Sequence, residues 1–155
     1  MRRTAAVVLI VLLAGGAWIT YIERWNHGGG TPVAWRDLPG GLGAAKLASP
    51  VFLRFRKRLY LEDYLAARLA QVPRLPAVDF TRDEVLLAAV GARSSTGYSV
   101  RIESISDQRS RIVVRVREVT PALGDPVVAK VTYPYALATI PLSPKRVRFI
   151  WLGRP

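Results

Sequence analysis

Apolar residues recur with two different periods along this chain. Over residues 60–72 they fall three or four positions apart, which places Leu61, Leu65 and Leu69 on one face of a helix. The proline-containing segment 73–76 follows and ends the pattern. The spacing therefore predicts one amphipathic helix.

Elsewhere the dominant period is two, as in β-strands. Most of these segments alternate apolar with polar residues, whereas 85–90 is apolar throughout, which is typical of a buried strand. The predicted strands are 33–35, 51–56, 84–90, 98–105, 111–119, 127–133, 135–140 and 146–152. Several short strands separated by turns predict a mostly β fold: an antiparallel β-sandwich or a rolled sheet, with one α-helix packed on it.

Residues 4–22 form an uncharged apolar stretch that directly follows Arg2 and Arg3, with Thr4 as its first residue. A helix over this stretch is roughly 28 Å long, close to the ~30 Å core of a bilayer. We therefore expect an N-terminal transmembrane helix in the lipid bilayer, with the arginines cytoplasmic and the rest of the chain outside. The alternative is a cleaved signal peptide, cut at the small residues 14–17, and a secreted protein.

These patterns divide the chain into three predicted parts. Residues 1–25 are the signal anchor, and residues 26–50, rich in glycine, alanine and proline, are a flexible tether and loop. Residues 51–155 are the β-rich domain.

Two short segments combine turn-forming residues with tyrosine. In the first, Gly97 can adopt a positive φ and turn the chain sharply into a strand that begins at Tyr98. In the second, Pro134 interrupts two strand-like runs. Tyrosine is favoured at protein interfaces, although a turn before a strand and a structural corner explain the same residues. The candidate partner-binding residues are Ser95, Thr96, Gly97, Tyr98, Tyr133, Pro134 and Tyr135.

The chain carries a net charge of +12, and its densest basic run is 54–58. A basic patch of Arg54, Arg56, Lys57 and Arg58 suits anionic lipid headgroups, acidic wall polymers or an acidic protein. A solvated, arginine-rich surface is the alternative. No nucleic-acid-binding motif accompanies the charge, so nucleic acid is not an expected partner.

The residue types that most enzymes need are scarce. Cysteine is absent, and the single histidine, His27, lies in the predicted tether. Glu103, Asp107 and Glu118 lie on or near strands, but no spacing pairs them as a two-carboxylate site. The sequence has no HExxH, phosphate-loop or dinucleotide-binding motif. We therefore expect a protein that is not an enzyme, without catalytic residues, metal or cofactor.

Several segments together resemble the PrcB C-terminal domain family, in order and in spacing. They are "VDFTRDEVLLAAVG" (78–91), "STGYSVRIESI" (95–105), "VRVREVTP" (114–121) and "VTYPYALATIP" (131–141). The family is named after an accessory subunit of a bacterial cell-surface protease complex. This chain departs from the family's pattern at Thr96, where a glycine is usual, so a backbone conformation open only to glycine is not expected there.

The resemblance implies a β-rich extracytoplasmic accessory or binding module, with no catalytic residues to carry over. With the N-terminal stretch, it predicts a single-pass protein of the bacterial cytoplasmic membrane whose domain binds an exported protein, such as a protease. Two alternatives stay open. Thr96, Gly97 and Tyr98 are similar to part of the loop of chagasin-type inhibitors of cysteine proteases, and the basic run favours a module for anionic envelope polymers.

Overall fold

The structure, a computed structural model, describes residues 30–38, 42, 45–69 and 77–153. The predicted membrane span 4–22 and His27 lie outside these residues. Within the described ranges, no helix has the length and the apolar character needed to cross a membrane.

The described residues form ten strands and one helix. Along the chain the elements are β1 (Thr31–Pro32), β2 (Arg36–Asp37), β3 (Pro50–Phe55), α1 (Arg58–Ala66), β4 (Asp83–Val90), β5 (Arg93–Ser95), β6 (Ser99–Gln108), β7 (Arg111–Val119), β8 (Ala129–Thr132), β9 (Tyr135–Pro141) and β10 (Arg146–Trp151). The mostly β fold with one helix is thereby confirmed.

Two four-stranded sheets contain most of these strands. The first has the order β1-β6-β7-β10 and the second β2-β9-β4-β3, while β5 and β8 form a separate pair. All pairs are antiparallel except β7 and β10, which run parallel from Arg111↔Arg146 to Val116↔Trp151. The predicted antiparallel arrangement is therefore interrupted at this one pair of the described strands. The chain passes through β8 and β9 in other sheets before it returns beside β7, and this crossover permits the parallel direction.

The two four-stranded sheets pack face to face around one apolar core, as in a β-sandwich. Each strand contributes alternate residues, because successive side chains of a strand point to opposite faces. The buried residues of this core are Leu86, Ala88, Val90, Val100, Ile102, Ile105, Ile112, Val114, Val116, Ala136, Ala138 and Ile140.

The second sheet is covered on its outer face as well. Leu61 and Leu65 of α1 are buried there against Val85 and Leu87 of β4. Strand β4 therefore has core on both faces, which accounts for its uninterrupted apolar sequence. Leu38, Leu42, Ala45 and Leu47 are buried in the same core.

Residues 31–38 form an extended segment, here called the strap, that crosses the β6–β9 side of the sandwich. It pairs with β6 first, where Thr31 lies opposite Asp107, and then with β9, where Arg36 lies opposite Thr139. The predicted strand at 33–35 is instead the crossing between the sheets, with Val33 and Trp35 packed on the core. Folded structure thus begins before residue 51, inside the segment expected to be tether and loop.

The opposite side of the sandwich, between β3 and β10, is closed by side chains. The ring of Phe52 lies 5.6 Å from Phe149 and 6.2 Å from Trp151. Beside them Arg54 pairs with the fully buried Glu84 at 2.6 Å. The two long sides of the sandwich are therefore closed in different ways, one by aromatic rings and one by the strap.

Candidate functional site

A cleft of about 450 Å³ opens where the strap ends at Leu38. One wall is the segment 98–101 at the start of β6, and the other is 133–137 at the start of β9. Asp37 and Leu38 of the strap complete the lining. The cleft is therefore the part of the β6–β9 side that the strap does not cover.

The cleft brings together the two tyrosine motifs that the sequence singled out. Tyr98 comes from the first motif, and Tyr133, Pro134 and Tyr135 come from the second. Tyr98 and Tyr133 are both partly exposed. Two segments far apart in sequence thus present partly exposed aromatic rings to one concave surface, the kind of surface that holds ligands.

The three residues of the second motif differ in role. The Tyr135 hydroxyl accepts a hydrogen bond from the backbone N of Leu42 at 3.0 Å, and its ring packs against the outer core. The carbonyl of Pro134 accepts from the backbone N of Val90 at 3.3 Å. Pro134 and Tyr135 therefore hold the corner in place, and Tyr133 is the ring on this wall best placed for contact.

Gly97 is needed for close packing rather than for a left-handed backbone. Its φ lies outside the positive range, which among the described residues occurs only at Gly91, Gly124 and Gly153. A Cβ on Gly97 would lie 2.6 Å from both Pro121 Cβ and Val127 Cγ1. Gly97 therefore does not use the positive φ that a glycine can adopt. The glycine was correctly singled out, but the packing neighbours that require it are distant in sequence.

The residues before Gly97 are tied to the segment 127–132. The backbone N of Thr96 donates to Val128 O, and the Thr96 hydroxyl accepts from Val128 N, both at 3.1 Å. The carbonyl of Ser95 accepts from the Thr132 hydroxyl at 2.7 Å. Thr96 has no positive φ, so its departure from the family's glycine needs no backbone adjustment. Ser95, Thr96 and Gly97 form the support behind Tyr98, outside the cleft lining.

The segment joined to this loop exposes several large apolar side chains, which sequence analysis did not single out. Leu123, Val127, Val128 and Val131 are 107%, 42%, 63% and 57% exposed. We call these four residues the apolar ridge. Exposed apolar patches on a folded protein are often sites of interaction, and Val127 and Val128 of this segment adjoin the loop that supports Tyr98.

Beneath the loop lies a buried ion pair. The Arg93 guanidinium donates two hydrogen bonds to the Glu118 carboxylate. The bond from Nη2 to Oε2 measures 3.0 Å. Glu118 is 1% exposed. The hydrogen bond to Glu118 raises the pKa of Arg93 above its ordinary value, and the nearby Tyr98 adds to this rise. This pair fixes the base of the first wall.

The two acids on β6 also have basic partners. Glu103 is bonded to Arg117, with a weaker contact to Arg101 at 3.2 Å, and the hydrogen bond from Arg117 lowers the pKa of Glu103. Asp107 is paired with Lys145. The carboxylates on these strands are therefore held by cations, and none of them is paired with another carboxylate among the described residues.

The predicted basic patch lies at the opposite edge of the second sheet from the cleft. Arg54 turns inward to Glu84 and donates to the carbonyl of Lys145 at 2.6 Å. Arg58 lies 3.6 Å from Glu62, while Arg56 is half exposed and 3.8 Å from Glu84. Lys57 lies over the ring of Tyr60 at 5.7 Å. Most of these charges therefore have partners within the fold.

The cleft combines polar groups with apolar walls. Its lining offers tyrosine hydroxyls, the Asp37 carboxylate and the Arg101 guanidinium, around apolar walls. Across the described ranges, no group of three or more His, Cys, Asp or Glu residues is placed to hold a metal ion. Aromatic rings beside a few polar groups suit the recognition of a polypeptide.

Residues 85–141 match the family described as PrcB C-terminal. The match confirms the resemblance stated from sequence. It runs from β4 to the end of β9, so the matched segment contains Tyr98, Tyr133 and the apolar ridge, whereas the strap lies before it. No curated protein and no solved structure gives a significant match to the chain.

Proposed function

We propose that this protein is a non-catalytic accessory module that binds another exported protein, a protease of the same cell envelope, through the cleft. The observation that carries the proposal is that Tyr98 and Tyr133, both within the PrcB C-terminal match, meet in one cleft. The family's association with a surface protease complex supports the choice of partner. The apolar ridge extends the surface available to that partner.

In this proposal the apolar stretch 4–22 anchors the protein in the bacterial cytoplasmic membrane and leaves the β domain outside. The support comes from its length, its lack of charge and the two arginines before it. This arrangement places the cleft outside the cytoplasmic membrane, in the compartment that also contains exported proteins.

The geometry gives less support to the two alternatives. An inhibitor that inserts the loop 96–98 into a protease needs a projecting loop, but Thr96 is bonded on one flank to Val128 and Gly97 packs on Pro121. A module for anionic polymers needs free cations, but Arg54 is turned inward. We therefore favour the accessory module.

The test is a quantitative comparison of co-purified proteins. The full-length chain is purified from its own host as the natural sequence, as the double variant Tyr98→Ala/Tyr133→Ala, and as Tyr60→Ala. Tyr60 is 55% exposed on α1, away from the cleft, and serves as the matched control. We expect one exported protein to be depleted by about tenfold or more in the double variant only, as for an interface hot spot. Equal recovery with all three chains contradicts the proposal.

A further inference from the structure

The strap shows what kind of chain the β6–β9 side of the sandwich accepts. It is extended, it pairs antiparallel with the edge of β6, and it places Val33 and Trp35 against the core. Its last bond to β6 runs from Val33 N to Ile105 O at 2.9 Å. It then passes to β9, where Leu38 N donates to Leu137 O at 2.8 Å. The strap thus covers the edge of β9 as far as Leu137, whereas on β6 its described bonds end at Ile105.

The open edge of β6 faces the cleft. On the side away from β7, the described residues provide no strand that pairs with Ser99–Arg101. Ser99 and Arg101 are both exposed and line the cleft. An unpaired edge offers a row of backbone donors and acceptors to another strand, and in this cleft the row lies beside Tyr98 and Tyr133.

The length of this open edge favours a short peptide. It is bounded on one side by the Val33 bond to Ile105 and on the other by Thr96, which is held by Val128. The strand from Ser99 to Ser104 measures about 20 Å at ~3.3 Å per residue. A few extended residues fit this gap, whereas the edge of a second folded sheet would meet the strap and the segment 127–132.

The side chains and the charge define the peptide further. A residue whose side chain enters the cleft meets the rings of Tyr98 and Tyr133 and the apolar Leu38, so an apolar or aromatic residue is favoured there. The net charge of +12 disfavours a basic peptide. Residues at alternate positions point away from the cleft, because a strand has a period of two.

We propose that the cleft binds an extended segment of its partner protein by strand addition to β6, next to the strap. The segment is apolar at alternate positions and carries no net positive charge. Backbone hydrogen bonds to Ser99–Arg101 supply the affinity, and the tyrosine rings select the side chain, as in other proteins that add a strand from a ligand. This inference rests on the proposed function and specifies how the same cleft takes its partner.

The probe for the test is a random heptapeptide library displayed on phage. Peptides are selected on the full-length chain and counter-selected on Tyr98→Ala/Tyr133→Ala, and the recovered peptide is synthesised with single N-methyl groups along its backbone. Each N-methyl group removes one donor. We expect affinity, measured by calorimetry, to fall about tenfold at every second position, because each lost bond costs about that factor. Amide hydrogen exchange of Ser99–Arg101 is expected to slow in the complex, while Tyr60→Ala binds normally.

The outcomes separate this inference from the proposed function. If N-methyl groups have no alternating effect while binding still requires Tyr98, strand addition is overturned and the partner-binding cleft stands. A library that yields no cleft-dependent peptide also overturns strand addition. A dimer in sedimentation that also protects Ser99–Arg101 from amide hydrogen exchange without peptide does the same, since a second copy then covers the edge. A cleft-dependent peptide with the alternating pattern supports the inference even where co-purification identifies no partner.

Discussion

Gly97 lies so close to Pro121 that a Cβ on the glycine would be 2.6 Å from the proline Cβ. This contact links the loop that supports Tyr98 to the segment that bears the apolar ridge. A methyl group at Gly97 must displace Pro121 and Val127, so we expect Gly97→Ala to destabilise the fold by about 1–3 kcal/mol.

Urea denaturation of the full-length chain measures the effect of Gly97→Ala. Ser94→Ala is the control, because Ser94 is exposed in the neighbouring strand β5 and is expected to change stability by less than about 0.5 kcal/mol. Equal stability of the two variants would show that the loop and the segment 121–127 separate readily.

The second prediction concerns the contribution of the Arg93–Glu118 pair to stability. Glu118 is 1% exposed, so Arg93→Met leaves a buried carboxylate without its main cation and should cost about 3–5 kcal/mol. Adding Glu118→Leu to this variant should recover part of the loss, because the pair is then replaced by apolar groups. Arg101→Met, whose side chain is 62% exposed, should cost less than about 1 kcal/mol. A loss in Arg93→Met no larger than in Arg101→Met would contradict the structural role of the pair.

Glu103 makes the stability of the domain depend on pH in the acid range. Its pKa is lowered in the folded state by the hydrogen bond from Arg117. A lowered folded pKa means that the unfolded state binds more protons, so the stabilisation is present above the unfolded pKa and is lost as pH falls through the folded pKa. Urea midpoints measured from neutral pH to below 4.5, the ordinary value for this group, should therefore fall less steeply for Glu103→Gln than for the natural chain. In a chain that already carries Arg117→Gln, Glu103→Gln should alter the pH dependence of the urea midpoint much less. An equally large alteration there would exclude Arg117 as the cause of the lowered pKa.

Tyr135 and Tyr133 should respond differently to the loss of a hydroxyl group. Tyr135→Phe leaves the backbone N of the buried Leu42 without its acceptor, which should cost about 1–3 kcal/mol. Tyr133→Phe should leave stability almost unchanged, because within the described residues the Tyr133 hydroxyl satisfies no buried backbone group as the Tyr135 hydroxyl does. Thermal unfolding of the two full-length variants compares their stabilities. A larger loss in Tyr133→Phe than in Tyr135→Phe would contradict the structural role of the Tyr135 hydroxyl.

The sequence predicted the elements whose patterns are local. Alternation revealed β6 and β7, and the unbroken apolar run revealed β4, because these patterns reflect burial on one or two faces. The strap was missed, since Thr31–Pro32 and Arg36–Asp37 are two-residue strands with no period to detect. The parallel pairing of β7 with β10 was missed because strand direction depends on the route of the chain between them.

The sequence predicted the separate motifs of the candidate site but not how they come together. Tyrosines beside turn residues drew attention to Tyr98 and Tyr133, but their meeting in one cleft depends on the packing of two sheets. The apolar ridge was missed because Val127 and Val131 resemble ordinary strand residues, and only the structure shows them exposed. The partner of Gly97 is likewise a tertiary contact.

Site-specific crosslinking in living cells tests the central claim most directly. A photoreactive phenylalanine derivative is placed at Tyr133 in the cleft or at Tyr60 on α1, in the full-length chain and in its own host. The proposed function predicts that Tyr133 captures one defined exported protein, that Tyr98→Ala in the same chain abolishes this product, and that Tyr60 does not give it. The same product from Tyr60, or no product from Tyr133, would contradict the claim that the cleft is the partner-binding site.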